Sequence, residues 1–266
     1  MFRSCWFPEW NRSCRPVKRA SRAAAKPRRR SFIRIEEFEQ RVTPSCTVGV
    51  TSRVLTVDCD SSINTVNYDD NGVNTNVNGV IIADSTFDSF QINIGTGGGT
   101  VNLFEALHSG GISEVGFGNV TVNVSPTVHN LDSIAPLNIA GGSGVDALVV
   151  NDQANSNPHT YAMTATSVSR GNPINFGTQM RLLTLNGGSA ANTYNVSGTG
   201  GLNLATLNTG GGSDIINVEN TSNPLSVNEQ GFGNDTERER IGPESRRHPC
   251  RDYHHRQQRH RHAEHQ

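Results

Sequence analysis

The middle of the chain alternates short runs of apolar and polar residues with breaks rich in Gly and Asn. Leu137-Asn138-Ile139-Ala140 leads through Gly141-Gly142-Ser143-Gly144-Val145-Asp146 into Ala147-Leu148-Val149-Val150. The device returns as Leu183-Thr184-Leu185-Asn186 before Gly187-Gly188-Ser189, and as Thr206-Leu207-Asn208-Thr209 before Gly210-Gly211-Gly212. Weaker copies occupy residues 91–103, 115–124 and 227–236. Period-two alternation predicts half-buried strands, and Gly and Asn suit the tight turns between them.

Val101, Val120, Asp146, Asn192, Asp214 and Asp235 serve as phase marks, spaced 19, 26, 46, 22 and 21 residues apart. The 46 reads as two coils, or one coil with an excursion. A period near 20 predicts an all-β parallel β-helix or β-solenoid, in which stacked coils bury an apolar row that no single coil can bury alone. Ile94, Val124, Ile139, Leu185 and Leu207 would form one interior ladder. Residues 64–68 and 73–77 flank Asp70-Asn71-Gly72 and predict a β-hairpin ahead of the coils. Residues 151–179 are polar, with one strand candidate at 161–166, and predict a loop or hairpin projecting from the stack.

Charge divides the chain into three. Residues 1–41 hold twelve Lys or Arg against four acids, and residues 237–266 hold eight against five. Between them, residues 42–236 hold only Arg53, Arg170 and Arg181 against fifteen acids. The domains are therefore read as a basic, mostly disordered leader over 1–45, a body over 46–236 and a disordered tail over 237–266. So acidic a body argues against nucleic acid as its partner, since phosphate binding needs clustered cations. No apolar run is long enough for a transmembrane segment. The leader lacks the apolar core of a standard signal peptide, although Phe32, Ile35 and Phe38 are spaced for one helix face ending before Pro44. Cys46 and Cys59 flank an alternating run and either pair as a disulfide in an exported body or stay thiols. No C-x-x-C spacing points to zinc.

The segment RRRSFIRIEEFEQRVTPS (28–45) resembles the N-terminal segment of planctomycete secreted and cell-surface proteins, whose signature is Leu-Glu-x-Arg-x-x-Pro-Ser. Phe38 stands in place of Leu, and Glu39, Arg41, Pro44 and Ser45 follow in register. The repetitive body resembles the same proteins at Gly141-Gly142-Ser143-Gly144 with Asp146, Asn151-Asp152, Leu185 to Ser189, and Thr193-Tyr194-Asn195-Val196. The resemblance implies export to the cell surface or beyond, and it supplies no biochemical activity.

Residues 141–149 also fit the G-G-x-G-x-D-x-U-x nonapeptide of the repeats-in-toxin family, whose turns hold calcium through carbonyl and carboxylate oxygens. The other copies depart from it. Residues 209–217 lack the first Gly but keep Asp214, and 230–236 keep Gly231, Gly233 and Asp235. Ala190 and Asn192 replace Gly and Asp, while Val101 and Val120 have no ligand oxygen. The motifs also lie some 20 residues apart instead of in tandem. Asp146, Asp214 and Asp235 are thus the candidate calcium ligands, weighed against corners that need no metal.

Catalysis on a polysaccharide, the remote alternative, needs paired carboxylates or an acid with a basic partner. The body has no lysine. Asp69-Asp70 sits at a predicted hairpin tip, where Asp suits turn geometry. His108, His129 and His159 are scattered and read as solvated loop histidines. The tail, with His248, His254, His255, His260, His262 and His265 around Cys250, is expected to be an out-of-frame translation. One permitted one-base shift from Glu237 yields a string like residues 123–134, and both follow a Gly-Phe-Gly-Asn turn. On that reading the histidines carry no metal function, and the last coil is left uncapped and open to self-association. The expected function is structural or adhesive, toward cell-envelope or extracellular matrix components. A calcium-binding secreted module is the alternative.

Overall fold

The computed structural model describes residues 45–239. The Phe32–Phe38 arm, the export signature before Ser45 and the histidine tract all lie outside the described residues. Of the described residues about half are strand, none is α-helix, and the strands form two large, open, mostly parallel sheets. No helix among them is long and apolar enough to cross a membrane.

Two antiparallel pieces begin the body. Strands β1 (Cys46–Thr51) and β2 (Val54–Cys59) make a hairpin in which Cys46 stands opposite Cys59, and the two form a disulfide. Strands β3 (Asn64–Asp70), β4 (Asn74–Val77) and β5 (Val80–Ala83) form a meander in the second sheet. The hairpin expected around Asp70-Asn71-Gly72 is its first turn, with Gly72 at φ 82°. A 3-10 turn at Asp84–Thr86 follows.

From there the strands go by turns to the first and second sheets: β6 (Ser89–Ile94), β7 (Gly99–Leu103), β8 (Ser109–Glu114), β9 (Val120–Val124), β10 (Leu137–Ala140) and β11 (Asp146–Asn151). Next come β12 (Thr160–Met163), β13 (Ser167–Arg170) and β14 (Asn172–Phe176), all in the first sheet. The alternation resumes with β15 (Met180–Asn186) in the second sheet, then β16 (Thr193–Val196), β17 (Leu204–Asn208), β18 (Ile215–Val218), β19 (Leu225–Asn228) and β20 (Thr236–Glu239). The last strand crosses the boundary read at 236.

Residues in register on neighbouring parallel strands stand side by side. In the first sheet Ile92, Ile112 and Ile139 are neighbours, and in the second so are Leu185, Leu207 and Val227. These apolar rows from both sheets bury into one core. Ile94, Val124, Ile139, Leu185 and Leu207 are all buried in it, but they do not form one ladder: Val124, Leu185 and Leu207 share a row of the second sheet, while Ile139 and Ile94 lie on two different rows of the first.

Residues 151–179 do not project. Strands β12, β13 and β14 pair in sequence and fill the first sheet between β10 and β16. Their inward positions Tyr161, Met163, Val168, Ile174 and Phe176 are buried. A segment polar on average thus supplies a full apolar row, because only alternate positions face inward.

The insertion also moves the glycine-rich corners. Residues 95–98, 116–119 and 141–145 connect the first sheet to the second along one edge. Residues 187–192, 209–214 and 229–235 run from the second sheet back to the first along the other. The interval of 46 is therefore a change of edge. Val120 stands opposite Gly99 and not Val101, so that phase mark was two residues off.

Candidate functional site

The candidate calcium ligands divide between the two edges. Asp146, the first residue of β11, is fully buried. Its Oδ1 accepts the Val120 amide at 2.8 Å from the preceding coil, and its Oδ2 accepts the Gly142 amide at 2.8 Å. Glu114, at the end of β8, is buried beside it. Neither Glu114 oxygen has a well-formed hydrogen bond, though the Gly142 and Gly118 amides are near. Burial first, and then the Asp146 charge, raise the Glu114 pKa above the usual carboxylate range.

On the opposite edge the same device repeats through four coils. The His159 amide donates to Asn192 Oδ1 at 3.0 Å, the Asn192 amide to Asp214 Oδ1 at 2.7 Å, and the Asp214 amide to Asp235 Oδ1 at 2.8 Å. Each corner side chain thus caps the strand-opening amide of the coil before it, a donor that burial would otherwise leave unpaired. Asp214 is buried, and its Oδ2 has no well-formed partner despite the nearby Thr209 hydroxyl. Burial, aided by the Asp235 charge, pushes its pKa up to about 6. Asp235 is half-buried.

The fold therefore brings Asp214 and Asp235 together and leaves Asp146 apart from both. Glu114 was missed by the sequence reading because its place beside Asp146 depends on register between β8 and β10. A carboxylate that already accepts backbone donors has less to offer a cation. The buried corner oxygens left over are those of Glu114 and Asp214 Oδ2.

The histidines fare differently from their solvated reading. His129 Nε2 lies 2.7 Å from the Pro126 carbonyl, and His159 Nε2 lies 2.8 Å from Arg170 Nη1. Arg170, its side chain buried, also pairs with Asp132 and reaches Asp152 Oδ2 at 3.3 Å. Tyr161 donates to Asp152 at 2.5 Å and stacks on Tyr194. This network fixes the inserted strands to the coil edge. His108 is paired with Asp70, which is the fully buried end of β3 and caps the Gly72 amide at 3.1 Å.

Comparison of the chain with protein families, curated proteins and solved structures finds no match.

Proposed function

We propose that the body is a β-solenoid with a structural or adhesive role at the cell surface or outside the cell, acting on envelope or matrix components and not as an enzyme. One observation carries this reading: outward polar residues bond from strand to neighbouring strand along both sheets. Asn123 donates to Asn102 and Asn102 to Asn67, while Asn228, Asn208, Asn186 and Asn151 form a second such row. Asn217 to Asn195 and Asn175 to Asn138 add two more links. Amide ladders of this kind extend and stiffen a stack.

The exposed Val115, Phe117 and Val145, on stacked corners of the first edge, favour adhesion. The Cys46–Cys59 disulfide favours an oxidising compartment. Strands β19 and β20 each pair on one side only among the described residues, which favours self-association end to end. Protease shaving of intact cells tests the placement. Peptides from 46–239 should be released while a cytoplasmic marker stays inside, and their recovery only after lysis would overturn it.

Calcium binding remains the second reading, favoured by the unpartnered carboxylate oxygens of Glu114 beside Asp146 and of Asp214 beside Asp235. Circular dichroism and thermal unfolding of the full chain, with chelator and then with calcium, separate the two. A scaffold is β-rich and unchanged throughout. Calcium-dependent stability lost in Asp214→Asn or Glu114→Gln would install the second reading.

A further inference from the structure

A second group of ligating side chains lies away from the corners, where the meander meets the first coils. Asp70 closes β3, Asp84 opens the 3-10 turn after β5, and His108 precedes β8. One ligand atom from each comes within 4.8 Å of the other two. Asp70 is fully buried, Asp84 is 7% exposed and the His108 side chain 23% exposed. Their distance in sequence hides the group. Antiparallel pairing of β3 with β4 and β4 with β5 returns Asp84 to Asp70, and the second-sheet neighbour β7 delivers His108.

Each member is held in place by something else. Asp70 Oδ1 accepts the Gly72 amide, and its Oδ2 accepts the His108 amide at 2.9 Å and lies 2.7 Å from His108 Nδ1. Thr75 donates to Asp84 Oδ1 at 2.6 Å. The His108 ring packs on Phe87, with centroids 4.5 Å apart. Outer contacts of this sort orient metal ligands.

Two buried oxygens are poorly satisfied. Asp84 Oδ2 has no hydrogen-bond partner, and the hydroxyl of the fully buried Tyr68 has no well-formed one, though the Thr75 hydroxyl is near. That hydroxyl lies close enough to feel the charges of both Asp70 and Asp84. Two buried carboxylates face a single histidine, and among the described residues no Arg or Lys pairs with either. Uncompensated buried charge of this kind is costly.

We propose that Asp70, Asp84 and His108 form a binding site for a divalent transition-metal cation of the zinc class, with the Tyr68 hydroxyl as a neighbouring oxygen. An imidazole among so few donors suits a borderline ion with short bonds, about 2.0–2.2 Å to N and O, better than calcium, which takes six to eight oxygens. On binding, His108 presents the Nδ1 lone pair with its proton on Nε2, and the cation neutralises the two carboxylates. The site ties β3, the 3-10 turn and the entry to β8 together.

Thermal unfolding of the full chain with chelator, and then with zinc alone, tests this. A histidine-rich tail can take up zinc adventitiously, so the readout is stabilisation of the fold and not uptake. Zinc should raise the Tm by several degrees in the wild type, and the rise should vanish in Asp84→Asn and in His108→Gln. Metal-free Asp84→Asn should be at least as stable as the wild type, since it keeps an acceptor for Thr75 and removes a buried carboxylate whose Oδ2 has no partner, so its silence toward zinc cannot be ascribed to misfolding. Asp58→Asn, an exposed acid of β2 that accepts from Asn93, should keep the full response. No zinc-dependent rise in the wild type, the same rise in all variants, or a rise with calcium alone would each overturn the proposal.

Discussion

Asp146 on the first edge gives both of its oxygens to backbone amides, whereas Asp235 on the second gives one and stands half in solvent. Between these limits lies Asp214, buried like Asp146 yet with one oxygen unsatisfied. Three acids in equivalent-looking Gly-rich turns therefore carry different energetic weight. What sets it is how many buried donors each acid meets, and that depends on the coil below.

The largest effect should come from backbone crowding at particular corner glycines. A Cβ on Gly144 would overlap the Gly118 carbonyl, whereas one on Gly211 meets nothing closer than the Ser189 carbonyl at 3.4 Å. Gly144→Ala should cost about 3 kcal/mol and Gly211→Ala less than about 1 kcal/mol in urea unfolding of the full chain. Equal losses would mean that Gly144 and Gly211 are not packed as differently as their surroundings require.

Next comes the capping difference. Asp146→Ala strands the buried Val120 amide and the part-buried Gly142 amide and should cost about 2–4 kcal/mol, against roughly 0.5–1 kcal/mol for Asp235→Ala. Similar midpoint shifts for the two would remove the distinction drawn above.

The smallest effect has the opposite sign. Asn192 shows that an amide serves at this corner, so Asp214→Asn should keep the cap and stabilise the protein at neutral pH by about 1–2 kcal/mol. Because the folded pKa of about 6 lies above the unfolded value near 4, the native state binds the extra proton in that interval. Wild-type stability should therefore fall as pH rises from about 4 through 6, and the advantage of Asp214→Asn should disappear near pH 4. A difference that stays constant with pH would show that Asp214 is not desolvated as described.

Strand content and coil spacing were legible because period-two alternation and Gly-rich turns are local signals. Leu185, Leu207 and Ile139 are buried as that alternation requires. The edge on which a turn lies is not local, which is why Asp146 and Asn192 passed for equivalent positions. The three-strand insertion was obscured for a related reason: Thr160–Met163 and Ser167–Arg170 are four-residue strands, too short for alternation to stand out from a polar loop. The Asp70–Asp84–His108 group had even less signal. Asp70 was correctly seen as a turn residue, since it caps Gly72, but nothing in the spacing announces that its other oxygen meets His108 38 residues on.

The inserted strands carry one more implication. Between β10 and β16 the first sheet holds β14, β13 and β12, while over the same coils the second sheet passes from β11 through β15 to β17. Two surplus strands at about 4.8 Å each make one side of the stack roughly 10 Å longer than the other. That excess has to be absorbed as bending, fanning or a sideways offset between the sheets. Adding or deleting a hairpin in one sheet is thus a way to shift the two sheets against each other without altering the strands on either side.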